Sequence, residues 1–127
     1  MENITLNIGD RKIPLRFKMN QFAEIEEEVG NLGEVREMIL NGKQRIRNIV
    51  KVIRILGNAG LEEAGEKPDL TDKWLLRNMK PQLINVFALT AMKVIIDGNS
   101  VEAQNAEEQG PVDEILEEQN AKKQPGS

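Results

Sequence analysis

Two sets of charged residues have spacings that could support chemistry. Glu24, Glu26, Glu27 and Glu28 place four carboxylates within five residues. Arg47, Lys51 and Arg54 recur at intervals of four and three, which puts them on one side of a helix. Paired carboxylates can hold a metal or run general acid-base catalysis. Successive residues of a helix point in different directions, however, so Glu24 to Glu28 read as a solvated face rather than a cage. No EF-hand loop pattern is present. The three cations leave several readings open: a grip on phosphates, a membrane-surface face, a landing site for an acidic segment, or the solvated side of a core helix.

The chain has no Cys and no His. That removes disulfides, thiolate nucleophiles and cysteine zinc sites. It also removes the commonest general base, metal ligand and physiological pH switch. Tyr is absent too. An enzyme would have to work with Asp, Glu, Lys, Ser and Thr, and the sequence arranges none of them for it. The expectation is a protein that is not an enzyme and uses no cofactor or metal.

At 127 residues the chain fits one domain and a tail. Aromatics make up 3%, so the core must be built from Ile, Leu, Val and Met. Residues 4 to 17 read as a β-hairpin. "ITLNI" puts Ile4, Leu6 and Ile8 on one face, and "IPLRF" does the same with Ile13, Leu15 and Phe17. Gly9 and Asp10 supply the turn, and Pro14 marks an edge strand.

The period then becomes helical. A first helix starts with Asn20 as N-cap, buries Phe22, Ile25 and Val29, and ends at Gly30. A second is capped by Asn31 with Glu34, carries Val35, Met38 and Ile39, and stops at Asn41-Gly42. A third, "QRIRNIVKVIRIL", aligns Ile46, Ile49, Val50, Ile53 and Gly57, widened by Val52 and Leu56. Its glycine-rich continuation "GNAGLEEAGEKPD" reads as a loop. A fourth helix is capped by Thr71, with Leu70 stapled to Leu75 and with Trp74, Leu75 and Met79 on its buried side. A fifth runs from Pro81 to Asp97, with Gly98 as its C-terminal stop. It is apolar nearly all round, so it is either the central helix of the bundle or covered on one flank by a partner.

Residues 99 to 127 hold seven acids and two lysines, a net of −5, which leaves +1 on residues 1 to 98. This predicts a folded domain over 1 to 98 and a disordered acidic tail over 99 to 127. The fold class predicted is mainly α (α+β): an N-terminal hairpin, a bundle of about five helices and the tail. No membrane span is expected, because the apolar stretch from Leu83 to Ile96 is interrupted and short of the roughly 20 residues required. "MENITLNIGDRK" lacks the features of a signal peptide. The balance of +1 is far from the strongly basic surface of a DNA-binding domain, so nucleic acid is a disfavoured partner.

The layout resembles the tail assembly chaperones of long-tailed bacteriophages and prophages. The likeness covers roughly residues 4 to 97. It rests on the strand pair "ITLNI" and "IPLRF", on "MNQFAEIEEEVGNLGEV", on the lead-in Pro68-Asp69-Leu70-Thr71, and on a long apolar helix before a polar tail. The resemblance implies a non-catalytic chaperone in the cytoplasm of the bacterial host, absent from the mature virion. Its partners would be the tape measure protein and, through a longer frameshifted product, the tail tube protein. Ala121-Lys122-Lys123 is compatible with a slippery A-rich codon run. The residues expected to meet the partner are Trp74, Leu75, Leu89, Met92 and Ile96, with Arg47, Lys51 and Arg54 as a basic face. Alternatives are a small phage structural protein (a connector or tail terminator) and a nucleic-acid-binding regulator. Homo-oligomerisation is compatible with each.

Overall fold

The computed structural model describes the backbone of residues 4–109 and the side chains of residues 4–98. The chain falls into two units that meet at Ile95/Ile96. The first holds the hairpin, four helices and the start of a fifth. The predicted class, a hairpin followed by a mostly helical domain, is what the chain forms.

Strands β1 (Ile4–Ile8) and β2 (Arg11–Leu15) pair antiparallel, with Leu6 opposite Ile13 and Ile8 opposite Arg11. The two-residue turn Gly9-Asp10 needs a positive φ, and Gly9 supplies it at 61°. A two-residue turn makes Ile8–Arg11 a hydrogen-bonded pair, so alternation leaves Thr5–Pro14 a non-bonded one. Proline's missing N–H therefore costs the ladder nothing. Leu6, Ile8, Ile13 and Leu15 are buried, and the alternating residues are exposed or half-buried.

Helix α1 (Met19–Glu28) starts two residues earlier than the sequence suggests, because Lys18 rather than Asn20 occupies the N-cap. Two local devices fix that start. The Gln21 side chain accepts from the Lys18 backbone N–H at 2.9 Å. Phe17 and Phe22 stack at 6.1 Å across the cap as a hydrophobic staple. Helix α2 (Leu32–Leu40) begins as predicted, with the Asn31 side chain accepting from Gly33 N–H at 2.7 Å.

Helix α3 (Arg45–Glu63) holds the centre of the domain, a role the sequence offered to the fifth helix. It packs against β2, α1, α2 and α4. Ile49, Val50, Val52, Ile53, Ile55, Leu56 and Leu61 are buried along it. The predicted loop after Leu56 is a correction: the helix runs seven residues further, through Gly57 and Gly60, to Glu63. The hairpin explains this. A Cβ on Gly57 would lie 2.6 Å from Leu70 and 2.9 Å from Ile13, and one on Gly60 would lie 1.9 Å from the Pro14 carbonyl oxygen. These glycines are the flat track on which β2 lies, and Arg16 N–H donates to the Leu56 carbonyl at 3.0 Å beside it. Tertiary contact outweighs the roughly 1 kcal/mol per glycine that helix propensity alone charges.

Helix α4 (Asp72–Asn78) forms as predicted. Thr71 accepts from Trp74 N–H at 3.1 Å, and Leu70 and Leu75 are both buried as a staple. A single 3₁₀ turn, Pro81–Leu83, leads into α5 (Ile84–Gln109), and the stretch that starts at Pro81 turns away from α4 at 99°. The predicted stop at Gly98 is a second correction. The backbone stays helical to Gln109, since Val101 to Gln109 contain Ala, Glu and Gln, which favour helix and absorb one glycine. The rest of the expected acidic tail, with Ala121-Lys122-Lys123, lies outside the described residues.

Candidate functional site

The basic residues of α3 come first, since they were the strongest charge signal. Arg47 is exposed. Lys51 Nζ reaches the backbone carbonyl of Glu28 at 3.5 Å. Arg54 is tied on two sides: its Nη2 donates to Glu28 at the end of α1, and its Nε donates to Asp72 at the start of α4 at 2.7 Å. The Glu28 hydrogen bond, with help from Asp72, raises the Arg54 pKa above its ordinary value, and burial works against it. Arg54 is therefore a three-helix fastener rather than part of an open phosphate-binding face. The sequence missed this because Glu28 and Asp72 lie 26 and 18 residues away.

The expected partner-binding residues separate into three groups. Leu75 and Met92 belong to the core, at 0% and 9% exposure, and correct the expectation that they face a partner. Leu75 closes the staple with Leu70, and Met92 falls on the side of α5 shared with Ala88 and Ala91. Trp74 is half-buried with the Arg11 guanidinium 5.4 Å over its ring, and Arg11 also meets Asp69 at 3.1 Å. Leu89, 59% exposed, faces outward together with Val86. Ile96, the first residue of the second unit, is exposed as well.

The structure adds a feature the sequence did not single out. An apolar groove of about 250 Å³ opens at the corner where α4 turns into α5 over the start of α3. Its lining is Ile46 and Val50 from α3, Leu76 and Met79 from α4 and its end, then Lys80, Pro81 and Ile84. Val50 is buried, while Ile46 and Leu76 are 43% and 46% exposed. The groove exists because Pro81 cannot continue α4, so the chain turns through 99° and leaves Met79 and Ile84 on either side of the bend. Arg45 Nη2 spans from α3 to the Asn85 side chain at 2.5 Å, next to Ile84.

The groove's lining offers dispersion and desolvation, with one ammonium group at Lys80. Among the described residues no group of three or more His, Cys, Asp or Glu could hold a metal ion. No single helix among them is long and apolar enough to cross a membrane. Compared with protein-family models, curated proteins and solved structures, the chain gives no significant match to any of them.

Proposed function

We propose that this protein is a non-catalytic helix-binding chaperone of the phage tail assembly type, acting on the tape measure protein in the host cytoplasm. The observation that carries the reading is the uncovered apolar groove at the α3–α4–α5 corner. Ile46 and Leu76 remain about half exposed there although the domain has a complete core beneath them. Half-exposed aliphatic residues around an apolar trough suit the anchors of an amphipathic helix. Val86 and Leu89 give a second outward apolar surface. Met79 adds a side chain that adapts to irregular partners. The resemblance of residues 4 to 97 to tail assembly chaperones names the partner class, a long apolar-rich helical chain.

The mechanism is burial. Each Å² of partner apolar surface removed from water contributes about 25 cal/mol, before association costs are subtracted. No bond is made or broken. The chaperone keeps the partner's apolar stripe from self-association until the tail tube encloses it.

The test is co-expression with the long helical protein encoded beside this gene, reading its soluble yield and its co-purification with the full chain. Higher yield and a complex, both lost in Ile46→Asp/Leu76→Asp while the circular dichroism spectrum stays native, is the expected result. No gain in solubility and no complex would remove the chaperone reading. It would favour the alternative of a structural component that stays in the particle.

A further inference from the structure

The groove lies between two stretches of chain that contain no acid at all. Residues 38 to 61 have five cations, Lys43, Arg45, Arg47, Lys51 and Arg54, and no Asp or Glu. Residues 73 to 96 have four, Lys73, Arg77, Lys80 and Lys93, and again no acid. Every residue that lines the groove comes from one of these stretches. The chain as a whole is acidic, with 21 acids against 17 bases, so this is segregation rather than composition. Asp72 and Glu28, acids at the ends of α4 and α1, are turned to Arg54. The charges the structure places at the groove are cationic: Lys80 in its wall, and Arg45 spanning to Asn85 beside Ile84.

We infer that the groove selects an amphipathic protein helix whose apolar anchors are flanked by Asp or Glu. Its occupant is thus narrower than any apolar helix, and this step rests on the helix-binding reading above. The size agrees. At about 250 Å³ the groove is below the roughly 300–1,000 Å³ that encloses a small molecule, and it suits a few side chains of a helix lying across it. The apolar wall supplies the affinity. The cations select against basic or neutral helices and speed encounter. Lys and Arg also lay their methylene stems along the apolar edge, so they widen the contact as well as charging it.

The experiment uses the full chain and two synthetic 18-residue peptides with end-capped termini. Both carry leucines at i, i+4, i+7 and i+11. One places Glu at the flanking positions, and the other places Lys there. Fluorescence anisotropy at low and high salt should show the Glu peptide binding about tenfold tighter than the Lys peptide, with the gap closing at high salt. Lys80→Glu, an exposed position in the groove wall, should abolish the preference while the circular dichroism spectrum stays native. Ile46→Glu should weaken both peptides. Equal binding of the two peptides to the full chain would overturn the charge selection while leaving the chaperone reading to its own co-expression test. A full-length Ile115→Ser/Leu116→Ser variant that binds the Glu peptide far more tightly than the parent would also overturn it. The groove's occupant would then be the chain's own Asp113-Glu114-Ile115-Leu116-Glu117-Glu118 segment and not a partner.

Discussion

The Cβ that Gly60 lacks would fall 1.9 Å from the carbonyl oxygen of Pro14, closer than any non-bonded pair allows. The obstacle is backbone on both sides, so no rotamer change relieves it. Gly60→Ala must push β2 off α3 or bend the helix. The expected cost is about 3 kcal/mol, the upper part of the range for overpacking, even though alanine would help an isolated helix by about 1 kcal/mol. Gly57→Ala meets only methyl ends of Leu70 and Ile13 and should cost about half as much. Denaturant midpoints of the two variants decide it. A Gly60→Ala protein as stable as the parent would mean that β2 does not lie on α3 as described.

Arg54 joins Glu28 and Asp72 through different nitrogens, Nη2 and Nε. A lysine keeps the charge but has a single nitrogen, so it cannot hold both carboxylates in this geometry. Arg54→Lys should therefore lose about 1 kcal/mol, nearly as much as Arg54→Met, discounted because both carboxylates are partly in solvent. The sign of the pH effect follows from the raised pKa. A cation stabilised by folding contributes fully below its unfolded pKa and loses that contribution only as pH rises through the higher folded value. The Arg54 contribution is thus flat across neutral pH. Parent and Arg54→Met melting curves at pH 7 and pH 9 should differ by the same interval, and a gap that shrinks by pH 9 would contradict the assignment.

What the sequence revealed divides along physical lines. The hairpin was legible because Ile4, Leu6 and Ile8, then Ile13 and Leu15, alternate with a period of two around Gly-Asp at the turn, all of it local information, though Phe17, read as part of the second strand, instead joins the cap of α1. The caps at Asn31 and Thr71 were legible for the same reason. The length of α3 was not, because Gly57 and Gly60 look like helix breakers until the strand they admit is seen. The charge network was not, because its partners come from separate helices. The faces of α5 could not be told apart by periodicity, since apolar residues stand almost all round it. Leu89 turned out exposed and Met92 buried. The groove escaped notice because Ile46 continues the apolar stripe of α3, and Met79 and Pro81 look like ordinary helix residues. The break at Met79-Lys80-Pro81 was the available clue.

Asn58 holds the connection between α3 and α4 in place. Its Oδ1 accepts from Leu70 N–H at 2.9 Å and its Nδ2 donates to the Leu70 carbonyl at 3.2 Å. One amide thus satisfies both backbone groups of a residue that is buried at the end of the connection. Asn58→Ala leaves both without that partner and should cost about 1–2 kcal/mol. The loss should appear first as local opening of residues 64 to 71. Cleavage by a glutamate-specific protease after Glu66, which is exposed, should accelerate more than the change in global stability accounts for. Cleavage that merely tracks global unfolding would show that Asn58 does not restrain this segment.

Leu75 and Leu89 test the division between core and outward surface most directly, because the same change is made at each. Leu75 is fully buried in the staple with Leu70, whereas Leu89 is 59% exposed on the outward side of α5. Leu75→Asp places a carboxylate in the core and removes a packed side chain, which should cost about 4 kcal/mol or more and leave little folded protein. Leu89→Asp loses little burial and incurs mainly the lower helix propensity of aspartate, about 0.5–1 kcal/mol. The two also differ in what they report about binding. A loss of partner solubilisation in Leu89→Asp is a loss of surface, since the domain remains folded, while the same loss in Leu75→Asp reports only unfolding. Urea denaturation of both variants, run before any binding assay, separates the cases. Equal destabilisation would mean that the outward side of α5 is packed in solution, and Val86 and Leu89 would then be withdrawn as a second partner surface.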